Sequence, residues 1–360
     1  MTEPRTSFGS GGTYAGSGVS IQAGEDAVEL IKPWAAKTRR PEVLDGIGGF
    51  ASLFRLPVDK YRDPILASAS DGVGTKSAIA QAMGKHDTIG IDLVAMVVDD
   101  LVACGAEPLF LQDYIACGKL DPQKISTLVA GIAEGCLLAG CALVGGETAE
   151  HPGLMAPDDY DLAATAVGVV EADDILGPDK VRPGDAVIGL ESSGVHSNGY
   201  SLIRHVLLDI GRLPLDGHVE EFSRTLGEEL LEPCRIYSKE CLSLAKEADV
   251  HAIAHITGGG LVSNLARVIP KGLTALLDRR SWSPLPVFGY IAGRGRVDRS
   301  EMEKAFNMGV GMAVVLAPDD VDRALAMLTA RHVPAWPLGT VEKSGDRTER
   351  VLLDGEHPRF

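Results

Sequence analysis

What the chain lacks narrows its function before any motif is read. Its six cysteines, Cys104, Cys117, Cys136, Cys141, Cys234 and Cys241, form no CxxC pair and have no histidine at zinc-finger spacing. Most lie in apolar patterns, where a buried free thiol is the plain reading. No apolar run approaches the roughly 18 residues that cross a bilayer, so no membrane contact is expected. The opening "MTEPRTSFGSGG" has no basic segment followed by an apolar one, and a cytoplasmic protein is expected. Basic residues are outnumbered, 34 against 50 acids, for a net charge of −16. That field repels nucleic acid, and the densest basic stretch, "KTRRPE" at 37–42, is short and runs into an acid. Nucleotide loops are missing too. "GVGTKS" lacks the glycine that precedes lysine in a Walker A loop, and no GxGxxG follows a strand. If ATP binds, metal-carrying carboxylates must hold it.

What is present is ample apolar material, 45% of 360 residues, enough for two cores and far from a disordered composition. A flexible glycine-rich segment, 1–24, is expected first, with a helix from residue 25. An N-terminal domain then spans 25–172, an acid-, Pro- and Gly-rich junction covers 172–185, and a second domain spans 173–345. A polar tail, 346–360, closes the chain. Helices are predicted over 88–105 and over 121–140, the latter opened by Asp121 and Pro122. Further helices are predicted to about 210, over 228–247 and over 260–268. Strands are predicted at 64–70, 107–117, 141–150, 161–171, 186–192, 275–278, 310–318 and 335–342. Short links between several strands favour α+β with mixed sheets over a strict doubly wound parallel sheet.

Five stretches could carry chemistry. "SDGVGTK", 70–76, follows a strand and gathers Asp71, Gly72, Gly74, Thr75 and Lys76. It reads as a phosphate turn with a metal or as ordinary Asp-Gly turn chemistry. In the apolar 88–105 helix, Asp92 and Asp99 lie within about 20° of each other and Asp100 about 80° away. They mark either a solvent face or a cation site. "VGGETAE", 144–150, offers Glu147 and Thr148 as hard oxygen ligands, or is a strand-end turn with an exposed acid. "SSGVHSNG", 192–199, places Ser193, His196 and Asn198 before a helix. "HITGGG", 255–260, runs Gly258, Gly259 and Gly260 into another helix, a route for amides to reach phosphate or a plain loop.

Taken in order with "YAGSGVSIQAG", "KTRRPEV", "GGF" (48–50), "GAEPLF" and "FNMGVGM", these stretches resemble the phosphoribosylformylglycinamidine cyclo-ligases of purine biosynthesis. The likeness runs from residue 14 to about 345. It implies a two-domain α+β subunit whose N-terminal mixed-sheet domains pair in a homodimer, followed by a C-terminal α/β sandwich domain. It implies ATP-dependent closure of formylglycinamidine ribonucleotide to 5-aminoimidazole ribonucleotide, with Mg²⁺ and with K⁺ as a further candidate cation. Residue by residue, it implies Asp71, Asp100 and Glu147 as metal ligands, with Gly72, Gly74, Thr75, Lys76 and Thr148 at the nucleotide. His196 and Lys32 become catalytic candidates. Gly48, Gly49, Ser193, Asn198 and Gly258–Gly260 become substrate contacts. The chain departs from the family at Ser70, at Ser20 in place of an aspartate, at Asp99 in place of an asparagine, and at His151 and Val195. Among relatives, a selenophosphate synthetase would need an N-terminal reactive cysteine, and a hydrogenase-maturation dehydratase a C-terminal one; the chain has neither. A thiamine-phosphate kinase and a non-catalytic nucleotide-binding module are the remaining alternatives.

Overall fold

A computed structural model describes residues 13–360. The first half of the expected flexible segment lies outside the described residues, and helix begins sooner than expected. Ser20 caps α1 (Ile21–Lys37), its Oγ accepting the Ala23 N–H at 3.2 Å. The serine that stands where the family resemblance implied aspartate is therefore a helix cap, a role either residue fills.

The N-terminal half then runs β1 (Pro64–Gly72), α2 (Lys76–Met83), α3 (Ile89–Ala103), β2 (Glu107–Cys117), α4 (Pro122–Ala139), β3 (Ala142–Glu150) and β4 (Tyr160–Glu171). Its four-stranded sheet has the order β1-β4-β2-β3, antiparallel except for β2 beside β3. The expected cap at Asp121 forms. Asp121 accepts the Gln123 N–H at 2.9 Å, and α4 ends at Gly140 with φ +82°.

In this sheet the pleat sorts residues cleanly. Leu162, Ala164 and Ala166 of β4 are buried under α3 and α4, while Ala163 and Thr165 are exposed. The same alternation leaves Leu66, Ser70, Gln112, Tyr114 and Glu147 on an uncovered face.

The C-terminal half runs β5 (Ala186–Glu191), α5 (Tyr200–Ile203), β6 (His218–Val219), β7 (Arg224–Thr225), α6 (Leu226–Leu230), α7 (Ser238–Glu247), β8 (Val250–His255) and α8 (Gly260–Leu265). It continues through β9 (Leu273–Asp278), α9 (Pro286–Gly295), α10 (Arg299–Ala305), β10 (Val310–Leu316), α11 (Val321–Ala330), β11 (Ala335–Lys343) and β12 (Val351–Asp354). Six strands form one sheet, β12-β9-β11-β5-β10-β8, antiparallel except for β12 beside β9. Both of its faces are covered: Val187, Ala313 and Val315 join one core, and Ile188, Val314 and Leu316 another. The architecture is α+β with two mixed sheets, as the sequence suggested.

Three differences have physical causes. The helix predicted over 228–247 breaks into α6 and α7, with 232–237 irregular between them. Pro233 removes a helical N–H and disfavours helix at Glu232. Strand β8 escaped notice because all six of its residues are buried, which erases the alternation that marks a strand. The tail read as polar contains β12, whose Val351 is buried against the sheet.

Helix α3 joins the halves. Val97, Val98 and Leu101 belong to a core that the N-terminal half shares with Val195, Tyr200 and Phe288, and Val102 packs with Leu190, Tyr237 and Ile253. A helix apolar on nearly every side is one enclosed on nearly every side.

Candidate active site

Where the halves meet, β1 ends at Asp71 and Gly72, α3 presents Asp100, and β8 ends at His255. The His255 Nδ1 lies 3.0 Å from Asp100 Oδ1. Burial opposes charge on this imidazole, but its hydrogen bond to Asp100 and the charges of Asp99, Asp100 and Asp71 outweigh it, and its pKa is raised. Burial also raises the Asp71 carboxyl, and the nearby Asp100 adds to that rise. Two carboxylates and an imidazole thus share one cleft, with the Asp100 side chain 48% exposed and His255 nearly enclosed.

The loop after β5 lies near, since the charge of His255 reaches His196. Asn198 approaches Gly258, where a Cβ would meet its Oδ1 at 3.3 Å. Gly258 and Gly259 are exposed. Gly260 is required by its backbone: its φ is +71° and a Cβ would collide with the Glu303 carbonyl. The helix these glycines open, α8, has only six residues.

Several expected site residues have other surroundings. Lys76, expected at a phosphate, is fully buried; its Nζ donates to Asp92 Oδ1 at 2.8 Å and to the Glu232 carbonyl at 2.7 Å. Burial works against its charge, but the Asp92 carboxylate prevails and raises its pKa. An ammonium held this way has no face free for a ligand. Thr75 precedes α2 without capping it, and its hydroxyl lies 3.2 Å from that of Ser201. His196, a catalytic candidate from the resemblance, is 3% exposed and accepts the Ser193 N–H on Nε2 at 3.2 Å. Burial, then the nearby charges of His255, Lys76 and Arg235, hold it well below its ordinary pKa. Ser193 Oγ donates to the Pro233 carbonyl at 2.6 Å, so its hydroxyl is engaged within the protein.

A second group of expected residues lies away from the cleft. Gly48, Gly49, Glu147 and Thr148 line a cavity of about 380 Å³ between α1, the 46–52 loop and β3. Lys32 borders an adjoining space of about 250 Å³ that shares Gly46, Ile47, Leu143 and Val144 with it. The Lys32 ammonium is half exposed and pairs with Glu29. Asp71 pairs with buried Ala164 and Glu147 with Tyr114, beside exposed Ala163, so the pleat sends these two acids to opposite faces of the sheet. Among the described residues, no three His, Cys, Asp or Glu side chains gather as one metal-holding group. Gly145 and Gly146 make room for neighbours: a Cβ at 146 would overlap Asp113 Oδ1, and one at 145 would crowd Ser52.

Two functional candidates escaped the sequence reading. His255 opens the "HITGGG" stretch but was passed over for its glycines. Asp113 occupies an inward position of β2 between Leu111 and Ile115, where an acid is itself the signal. It lines the 380 Å³ cavity, and with Asp71 it borders a further one of about 390 Å³ at β1, β4 and β2.

The family model described as AIR synthase related protein, N-terminal domain, matches residues 54–170, and that for the C-terminal domain matches 182–351. A phosphoribosylformylglycinamidine cyclo-ligase of Myxococcus xanthus (strain DK1622) is 53% identical over 342 residues, covering 95% of this chain and 99% of that protein. Among solved structures, thiamine-monophosphate kinase from Stenotrophomonas maltophilia K279a superposes with a TM-score of 0.66 at 21% identity, over 92% of this chain and 96% of that one. Hydrogenase maturation protein HypE in complex with ATP superposes with a TM-score of 0.61 at 20% identity, over 96% and 92%. These structures share the fold.

Proposed function

The chain belongs to the AIR synthase related family, among the phosphoribosylformylglycinamidine cyclo-ligases, which are C–N bond-forming ligases, and from that premise we propose ATP-dependent imidazole ring closure. The substrate is formylglycinamidine ribonucleotide and the products are 5-aminoimidazole ribonucleotide, ADP and phosphate. The amide oxygen is a poor leaving group. Transfer of the ATP γ-phosphoryl group to that oxygen makes it a good one, and the substrate's own nitrogen then attacks the activated carbon. The nucleophile is already tethered, so the protein's task is to hold charge and geometry.

The observation that carries this reading is the cleft of Asp71, Asp100 and His255, facing the 196–198 and 258–260 loops. The two carboxylates suit Mg²⁺, a hard cation that takes few protein oxygens and keeps the rest of its shell for water and phosphate. The ion would neutralise phosphate charge during transfer. His255, whose pKa is raised by its hydrogen bond to Asp100, is placed to donate a proton to the departing oxygen. Asn198 and Gly258 meet the substrate. The groove with Glu147, Thr148, Gly48, Gly49 and Lys32 is the candidate for the rest of the nucleotide. It adjoins the uncovered sheet face through Gln112 and Asp113. That face, with Leu66 59% and Tyr114 41% exposed, is where a second copy would pair in a homodimer. A cytoplasmic location accords with this metabolic role.

The test is ADP release that depends on formylglycinamidine ribonucleotide, with the aminoimidazole product detected alongside. ADP release equal in the absence of that ribonucleotide overturns the reading. Phosphorylation of thiamine monophosphate without ring closure favours the kinase alternative.

A further inference from the structure

Residues 232–237, "EPCRIY", have no regular secondary structure, yet Cys234 and Tyr237 within them are buried. A buried irregular segment needs acceptors for its backbone N–H groups. Here α3 supplies them. Asp92 Oδ1 accepts the Cys234 N–H at 2.8 Å, and the Asp99 carboxylate accepts the Tyr237 N–H at 3.0 and 3.3 Å. The two acids are seven residues apart, two turns along one side of the helix, which matches the reach of the three-residue step from 234 to 237. Lys76 adds a third tie, to the Glu232 carbonyl.

The other side of the same segment is bonded to the loop after β5. Ser193 Oγ donates to the Pro233 carbonyl at 2.6 Å, Ser197 Oγ lies 3.3 Å from Cys234 Sγ, and Tyr237 Oη donates to the Glu191 carbonyl at 2.7 Å. The Tyr237 ring centroid stands 6.2 Å from that of His196. Every one of these ties runs either to α3 and α2 or to the 191–198 loop.

We propose that 232–237 is a positioning strap that fixes the 191–198 loop against α3, and so fixes Asn198 relative to Asp100. Asp92 and Asp99 are its positioning residues on one side, Tyr237 and Ser193 on the other. None of them needs to touch substrate. The departure at 99 fits this role, since an asparagine oxygen would accept the same N–H. The consequence for catalysis rests on the reading of 196–198 as the substrate-side loop. The mechanical coupling does not.

Hydrogen exchange on the ligand-free protein tests the coupling, and steady-state kinetics its consequence. In Asp99→Leu, amides of 232–237 and of 192–198 exchange together, each about 10-fold faster, as expected for loss of a buried hydrogen bond. In Asp99→Asn, which loses the charge and keeps the acceptor, both stay within about twofold of wild type. KM for formylglycinamidine ribonucleotide rises about 10-fold in the leucine variant while KM for ATP holds, and the asparagine variant restores it. Faster exchange in the strap alone, with 192–198 still protected, overturns the proposal. If Asp99→Leu does not fold, Tyr237→Phe decides. It removes only the bond to Glu191, and unchanged protection of 192–198 in it overturns the coupling. A wild type that does not turn over this ribonucleotide sinks the substrate reading and leaves the exchange result to stand by itself.

Discussion

Asp99 and Asp100 are adjacent residues of the same type on the same helix, and their surroundings have almost nothing in common. Asp99 is wholly buried against Tyr237, and burial pushes its pKa up to about 7. Asp100 opens to the cleft beside His255 with nearly half its side chain in solvent. One residue of helical rotation, about 100°, separates an acceptor for buried backbone from a carboxylate free to meet a cation. Asp92, two turns earlier, shares the buried side. The charge of an acid in an apolar helix therefore says little about its use. Its angular position relative to the enclosing elements says more.

The comparison breaks most visibly at the buried side. Lys76 and Asp92 form an enclosed ion pair, and removing one partner leaves the other charged in an apolar interior. Lys76→Met is expected to cost about 3–5 kcal/mol of unfolding free energy. Lys76→Met with Asp92→Asn should recover most of it, since neither charge then remains and the Cys234 N–H keeps its acceptor. Urea denaturation reads both. A single variant as stable as wild type would mean that Lys76 is not committed to Asp92 and is free for a phosphate after all.

At the exposed side the expected effect is on turnover. Asp100→Asn keeps volume, loses the charge proposed to offset Mg²⁺, and removes the carboxylate that His255 bonds. Turnover should fall by about 10²-fold or more with little change in melting temperature. Retained turnover at saturating Mg²⁺ would remove Asp100 from the metal site.

This division also shows what the sequence could convey. The common helical face of Asp92 and Asp99 was legible from spacing alone, as was the cap at Asp121, because both follow from local geometry. That Lys76 would be spent on Asp92 was not legible. Both lie in the N-terminal half, but the strap that seals them in comes from residues 232–237. Glu147 was grouped with Asp71 by family resemblance, while the register of β1, β4, β2 and β3 sends them to different faces. His255 was overlooked because the strand it ends shows no alternation. Local patterns reveal elements, and sites assembled from distant segments need the packing.

His196 sharpens the comparison from the loop side. Its φ is +63°, and its imidazole is buried and held neutral at ordinary pH. It therefore supplies shape and one accepted N–H rather than a titrating proton. Asparagine tolerates this backbone conformation and offers an acceptor. His196→Asn is expected to keep turnover within about 10-fold of wild type, with no displacement of the pH–rate profile. A loss of about 10²-fold, or a vanished limb of that profile, would return His196 to acid–base chemistry.

Asp113 provides the mildest test, because it is an acid placed inward with no strap to anchor. Burial raises its pKa to about 7, and only a hydrogen bond from its own backbone opposes that rise. In the unfolded chain an aspartate titrates near about 3.9. Between these two values the folded state keeps a proton that the unfolded state has lost. Stability from this group is thus complete below about pH 4, declines as pH rises toward about 7, and stays lower above it. Asp113→Asn abolishes the titration while keeping the side chain's size. The melting temperatures of variant and wild type should coincide near pH 4, and the variant should melt about 2–4 °C higher at pH 8. Parallel curves across that range would mean that solvent or a bound cation already satisfies the Asp113 carboxylate. Asp113 would then belong with Asp100 among the open acids rather than with Asp99 among the enclosed ones.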